Sequence, residues 1–186
     1  MNKVLIVIDA QEDFTRGALR NEEAIKALPV IHDIVQYARE NHFTGIFYTQ
    51  DTHDPDYSET QEGRNLPVPH CIEGTKGWEI CPEVYSGTTD QQAVYFIKKG
   101  AFGSRDWTGY GHLIQNADEI WMCGFCTDIC VSANFQILKA TFPEVPVIVI
   151  EDACAGVTPE LHEAALKVMK SCQAKVIPWN DLKSAV

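Results

Sequence analysis

The chain has 186 residues, and its 45% hydrophobic and 22% charged content is that of a folded globular protein with a sizeable core, which excludes a disulfide miniprotein, a disordered tail or a collagen-like repeat. With 26 acidic against 15 basic side chains the formal net charge is −11, and no basic patch offsets it, so neither nucleic acid nor a membrane surface is expected as a partner. Seven cysteines, an odd number set mostly beside apolar residues, fit a reducing cytoplasm.

The apolar run Val4–Ile8 stops at Asp9, far too short for a signal-peptide core or a spanning helix. Similar short β-rich runs recur at Gly45–Thr49, Ala93–Ile97, Glu119–Cys123, Val145–Ile150 and, more weakly, Ala174–Ile177. Alternation with helical stretches predicts a parallel sheet in an α/β domain. After the first run, Ile31, Ile34, Val35 and Ala38 fall at helical spacing, with Pro29 as the predicted helix start. Late in the chain, Thr158-Pro159 predicts an N-cap, and Leu161, Ala165, Val168 and Cys172 form the predicted apolar stripe. No linker or internal repeat appears, so one domain over residues 1–186 is expected. The interval from Asp51 to Asp90, rich in Pro and Gly and poor in periodicity, is too long for a plain connection and is expected to build a site.

Ligands of an open parallel sheet gather at the carboxyl ends of its strands. There the sequence places Asp9, Asp51, Lys98-Lys99 and Gly124-Phe-Cys-Thr-Asp-Ile-Cys130. Each has a plain structural use when taken alone, as a cap, a solvated end residue or a small buried side chain, but their shared position favours chemistry. Thr127 to Cys130 reads as a helix opening, with Thr127 as candidate N-cap and Ala133, Ile137 and Ala140 continuing its apolar face. A thiol in a first turn is expected to ionise under the helix dipole, and the free amides there suit a developing oxyanion. Asp9 would accept the proton of Cys130, and Lys99 would hold both. Cys126 is a weaker nucleophile candidate because it precedes the helix. Cys123 and Cys126 have redox or zinc spacing but no second pair to complete a zinc site.

A second constellation is Asp51-Thr-His53 with Glu59, Glu62 and His70 beyond it. Asp51 and His53 point the same way if the segment is extended, and His70 with Glu62 or Glu59 completes a ligand set for a divalent zinc, manganese or iron ion. No organic cofactor is expected.

The stretches VLIVIDAQEDF, FYTQDTHDP, LPVPHCIEGTKGWE, IKKGAFGS and GFCTDICV, in that order along most of the chain, resemble the isochorismatase-like cysteine hydrolases, and within them the nicotinamidases. The resemblance implies a three-layer α/β sandwich around a six-stranded, mainly parallel sheet in order 3-2-1-4-5-6. It puts catalytic roles on Asp9, Lys99 and Cys130, and metal ligation on Asp51, His53 and His70. Oxyanion donors would be the amides of Cys126 and Cys130, with a cis peptide between Phe125 and Cys126. A small amide, nicotinamide first, would be hydrolysed through a Cys130 thioester. A metal-free relative acting on another amide, a ureido compound or a vinyl ether, and an inactive binding module of the same fold, are the alternatives. A homodimer or homotetramer is also implied.

The sequence departs from that pattern in three places. Tyr57 stands where many nicotinamidases have another metal-site histidine, leaving Glu62, Glu59 or water as the last ligand. Asn65-Leu66-Pro67 replaces a tryptophan, so Phe14 and Phe102 are left as aromatic walls for a flat ring. The segment after Lys99, GAFGSRDW, is short and polar, and Lys98 is an adjacent alternative to Lys99.

Overall fold

The computed structural model describes residues 2–85 and 93–185, so the end of the expected site-building interval, residues 86–90, lies outside the described residues. In chain order the elements are β1 (Lys3–Ile8), α1 (Glu22–Glu40), β2 (Gly45–Asp51), α2 (Gln61–Asn65), β3 (Val94–Lys99), α3 (Gly111–Ile114), β4 (Glu119–Phe125), α4 (Ser132–Thr141), β5 (Val147–Ala155), α5 (Pro159–Ser171), β6 (Lys175–Ile177) and α6 (Trp179–Ala185). The six strands form one sheet in the order β3-β2-β1-β4-β5-β6, and every pairing is parallel. This is the strand order that the family resemblance implied. No helix among the described residues is long and apolar enough to cross a membrane.

β1 is apolar after Lys3 and buried along its whole length, as expected of a central strand covered on both faces. Side-chain alternation sends neighbouring residues into two helical layers. On one face Trp121 packs against Tyr37 of α1 and Trp179 of α6; on the other Phe47 packs against Trp107 and Tyr110.

Local helix details depart from the sequence reading. α1 begins at Glu22, and Pro29 lies inside it. Asn21 caps that earlier start by accepting from the amides of Glu23 and Ala24, while Ala24, Ala27 and Leu28 extend the buried face ahead of the proline. In α5 the Thr158 cap forms as expected, accepting from the amide of Leu161, with Pro159 at the first turn. Its apolar stripe is different: Ala165, Leu166 and Met169 are buried, whereas Leu161 and Val168 are 46% and 53% exposed. β5 starts at Val147, just past Pro146, rather than at Val145, and runs on to Ala155.

One backbone position brings two strand ends together. Gly124 has φ +120°, and a Cβ there would lie 2.0 Å from the carbonyl oxygen of Ile8, next to Asp9. Only glycine permits both that conformation and that approach. Gly124→Ala is therefore expected to cost about 3 kcal/mol or more, read as a lowered urea midpoint or loss of soluble protein.

Candidate active site

The carboxyl ends of β1, β2, β3 and β4 deliver Asp9, Asp51, Lys99 and Cys130 to one rim. Asp9 is wholly buried and turns the chain at φ +45°, a left-handed conformation that aspartate tolerates better than most residues. Thr49 fixes it twice: its hydroxyl donates to Asp9 Oδ1 at 2.6 Å, and the Asp9 amide donates to the Thr49 hydroxyl oxygen at 3.1 Å. Lys99 Nζ lies 2.6 Å from Asp9 Oδ2 and 3.3 Å from Asp51 Oδ1, and donates to Cys130 Sγ at 3.5 Å. Lys98 instead points outward, pairing with Glu73 over the ring of Trp78, so Lys99 is the lysine of the site.

Cys130 sits in a π-helical turn, Thr127–Val131, ahead of α4, and the peptide between Phe125 and Cys126 is cis. The expected Thr127 cap is absent because its hydroxyl bonds to His162 Nδ1 at 2.8 Å. The Cys126 carbonyl accepts from the amides of Ile129 and Val131. The apolar face of α4 runs through Phe135 and Leu138, joined by buried Asn134, while Ala140 is exposed.

Burial works against the expected thiolate. Burial pushes the Cys130 thiol well above the ordinary cysteine value, and the charge of Asp9 pushes it the same way against the pull of Lys99. Burial likewise raises the carboxyl of Asp9, opposed by Lys99 and reinforced by Asp51. Burial disfavours the Lys99 ammonium, but Asp9, Cys130 and Asp51 outweigh it and keep the lysine charged. Burial thus opposes charge on both Asp9 and Cys130, while Lys99 beside them favours it.

The second constellation also assembles. Ligand-type atoms of Asp51, His53, Glu62 and His70 all lie within 4.8 Å of one another. Asp51 Oδ2 is 3.0 Å from His53 Nε2 and 3.5 Å from His70 Nε2, and Glu62 Oε1 is 3.7 Å from each imidazole. Glu59 is outside this group, and Tyr57 is no ligand: buried against both imidazoles, it donates its hydroxyl to the Leu66 carbonyl. Burial raises Asp51, but hydrogen bonds from His53 and His70, together with Lys99, hold its carboxyl below the usual range.

Sequence reasoning missed two residues of the β1–α1 turn. Gln11 clasps the backbone of Asp51, accepting from its amide at 2.8 Å and donating to its carbonyl at 2.9 Å. Asp13 accepts from the amide of Cys71 at 2.7 Å, anchoring the residue after His70, and a Cβ on Gly77 would collide with its carboxylate. Phe14, edge-on to His70, and Phe102, 47% exposed, both line a cavity of about 1320 Å³ reached by Asp51, Glu62, Cys126 and Cys130.

The fold has counterparts among known proteins. The structure is similar to nicotinamidase/pyrazinamidase of Bacillus subtilis (28% identity, TM-score 0.84, covering 95% of this chain and 100% of that one). It is also similar to a pyrazinamidase of Pyrococcus horikoshii solved in complex with zinc (26% identity, TM-score 0.78, covering 96% and 99%). A curated relative from Arabidopsis thaliana, described as a probable inactive nicotinamidase, is 27% identical over 94% of this chain and 91% of its own length. Residues 3–181 match the isochorismatase domain, and the chain belongs to the isochorismatase family, whose members are hydrolases with amidases among them.

Proposed function

We propose that this chain is a cysteine-dependent amidohydrolase that splits a small carboxamide, nicotinamide first, into the acid and ammonia. The observation that carries this reading is the position of Lys99 Nζ, 2.6 Å from Asp9 Oδ2 and 3.5 Å from Cys130 Sγ, behind a cavity that Cys130 lines together with Asp51, His53, Glu62 and His70. Asp9 takes the thiol proton as Cys130 attacks the amide carbonyl. The oxyanion is received by the amides of Cys126 and Cys130. Asp9 then returns the proton to the departing ammonia, leaving an acyl group on Cys130, and water attacking that thioester with Asp9 as base releases the acid and restores the thiol. Lys99 stays charged throughout and offsets the negative charge that passes between carboxylate and sulfur.

The donor set fits a divalent zinc, manganese or iron ion. Tetrahedral zinc with bonds of about 2.0–2.1 Å places its ligand atoms roughly 3.3 Å apart, and the spacings among Asp51, His53, Glu62 and His70 run from 3.0 to 3.7 Å where they are closest. His70 Nδ1 contacts the Val68 carbonyl at 2.8 Å, which as a donor N–H leaves Nε2 free to ligate. A bound ion would supply a Lewis-acid contact for a ring nitrogen, and so would position the substrate. Because Gln11 holds the backbone of Asp51 at both polar atoms, Gln11→Ala is expected to weaken zinc affinity about 10- to 100-fold, measured by chelator competition on the purified protein.

The breadth of the cavity, with exposed Leu66 at its edge, favours other small amides beside nicotinamide. The Arabidopsis relative raises the second reading, a binding module without chemistry. Against it, this chain retains Asp9, Lys99 and Cys130, with Lys99 in contact with both other side chains. Ammonia release from nicotinamide and an amide panel, with and without chelator, tests both. No release from any amide by the metal-loaded protein overturns the amidohydrolase reading.

A further inference from the structure

Asn134 lies one turn beyond Cys130, has no exposed surface, and fills all four hydrogen-bonding positions of its side-chain amide. Its Oδ1 accepts from the Ser104 amide at 3.0 Å and from the indole N–H of Trp107 at 2.9 Å. Its Nδ2 donates to the Cys130 carbonyl at 2.8 Å and to the Phe102 carbonyl at 3.1 Å. One side chain therefore joins the turn that bears the thiol to the segment that leaves β3 directly after Lys99. That segment feeds back on the site twice: the Ala101 carbonyl accepts from Lys99 Nζ at 3.1 Å, and Phe102 lines the cavity. Its seat on α4 is close, since a Cβ on Gly103 would fall 2.4 Å from Ile137 Cδ1. A merely space-filling residue at 134 would leave the Phe102 and Ser104 backbone groups without this partner and Phe102 free to drift.

We propose that Asn134 is a positioning residue that fixes the Cys130 thiol against Lys99 and against the Phe102 wall of the cavity. This rests on the reading of Cys130 as nucleophile and Phe102 as a substrate wall. Two variants break different parts of the link. Asn134→Asp keeps the acceptor for Ser104 and Trp107 but loses the donors to Cys130 and Phe102. Asn134→Ser has a hydroxyl able to bond back to the Cys130 carbonyl, yet too short to reach the loop.

With nicotinamide as substrate, Asn134→Asp, which frees both Cys130 and Phe102, is expected to lower kcat at least tenfold and to raise KM, and Asn134→Ser, which keeps a bond to the Cys130 carbonyl, to raise KM at least fivefold with a smaller change in kcat. Alkylation of Cys130 by iodoacetamide, followed by peptide mass spectrometry, is expected to slow at least fivefold in both, because Lys99 is no longer held against the sulfur. Should the wild type release no ammonia from any amide, the amidohydrolase reading fails while alkylation still decides the role of Asn134. Kinetics and alkylation within twofold of wild type in a folded variant overturn the inference. Failure of both variants to fold makes Asn134 a folding residue and overturns it as well.

Discussion

Replacing Cys130 with alanine is expected to abolish ammonia release, a loss on the order of 10^5-fold or more in kcat, with the fold intact. The magnitude follows from the role: without the sulfur no acyl intermediate forms, and Asp9 and Lys99 have nothing to activate. The fold survives because the substitution removes one buried atom from a small side chain and touches neither the Asn134 bond to the residue 130 carbonyl nor the Cys126 carbonyl that accepts from Ile129 and Val131. Cys126→Ala is the informative control. Cys126 lines the same cavity and offers the same chemistry, but the contact between Lys99 and sulfur is made at Cys130. Its proposed contribution is a backbone amide, which alanine retains, so activity within a few-fold of wild type is expected. Acid quenching during turnover, followed by mass spectrometry, should find the acyl adduct on the peptide containing Cys130 in both the wild type and Cys126→Ala. Full activity in Cys130→Ala would remove the proposed mechanism.

The sheet was legible because a strand covered on both faces must be apolar nearly throughout, and β1, β2 and β4 advertise this in consecutive residues. The site residues were legible for a related reason. An acid, a lysine or a thiol at the end of such a run has a position defined by the run itself, as Asp9 after Ile8 shows. Helix faces were less so, because a stripe drawn through Leu161 and Val168 and one drawn through Leu166 and Met169 differ by a modest rotation, and only packing against the sheet selects the second. Gln11, Asp13 and Asn134 left no local trace. Their partners are Asp51, Cys71 and Phe102, which lie 40, 58 and 32 residues away in sequence, and a polar side chain gives no sign of which distant backbone it will hold. The desolvation of Cys130 was likewise hidden, since burial is a property of the assembled site.

Asp9→Asn is expected to lower kcat/KM by about 10^3-fold or more near neutral pH, because the group that accepts the thiol proton and later delivers it to ammonia is gone. The wild-type pH profile carries the same information. Adding a second proton to the Asp9–Cys130 pair removes the base, so activity should fall on the acid side through the carboxyl of Asp9, at a pH above the ordinary aspartate value of 3.8. Stripping the last proton removes the acid for ammonia, so the alkaline fall should lie above the ordinary cysteine value of 9.0. Lys99 favours the anionic form of both groups, so its loss must move both limbs upward. Lys99→Met is thus expected to shift the acid limb to higher pH and to lower kcat/KM below it, measured by ammonia release across a buffered pH series. An acid limb that stays put in Lys99→Met would mean that the group titrating there does not feel the cation 2.6 Å from Asp9, and the base would have to be sought among other residues.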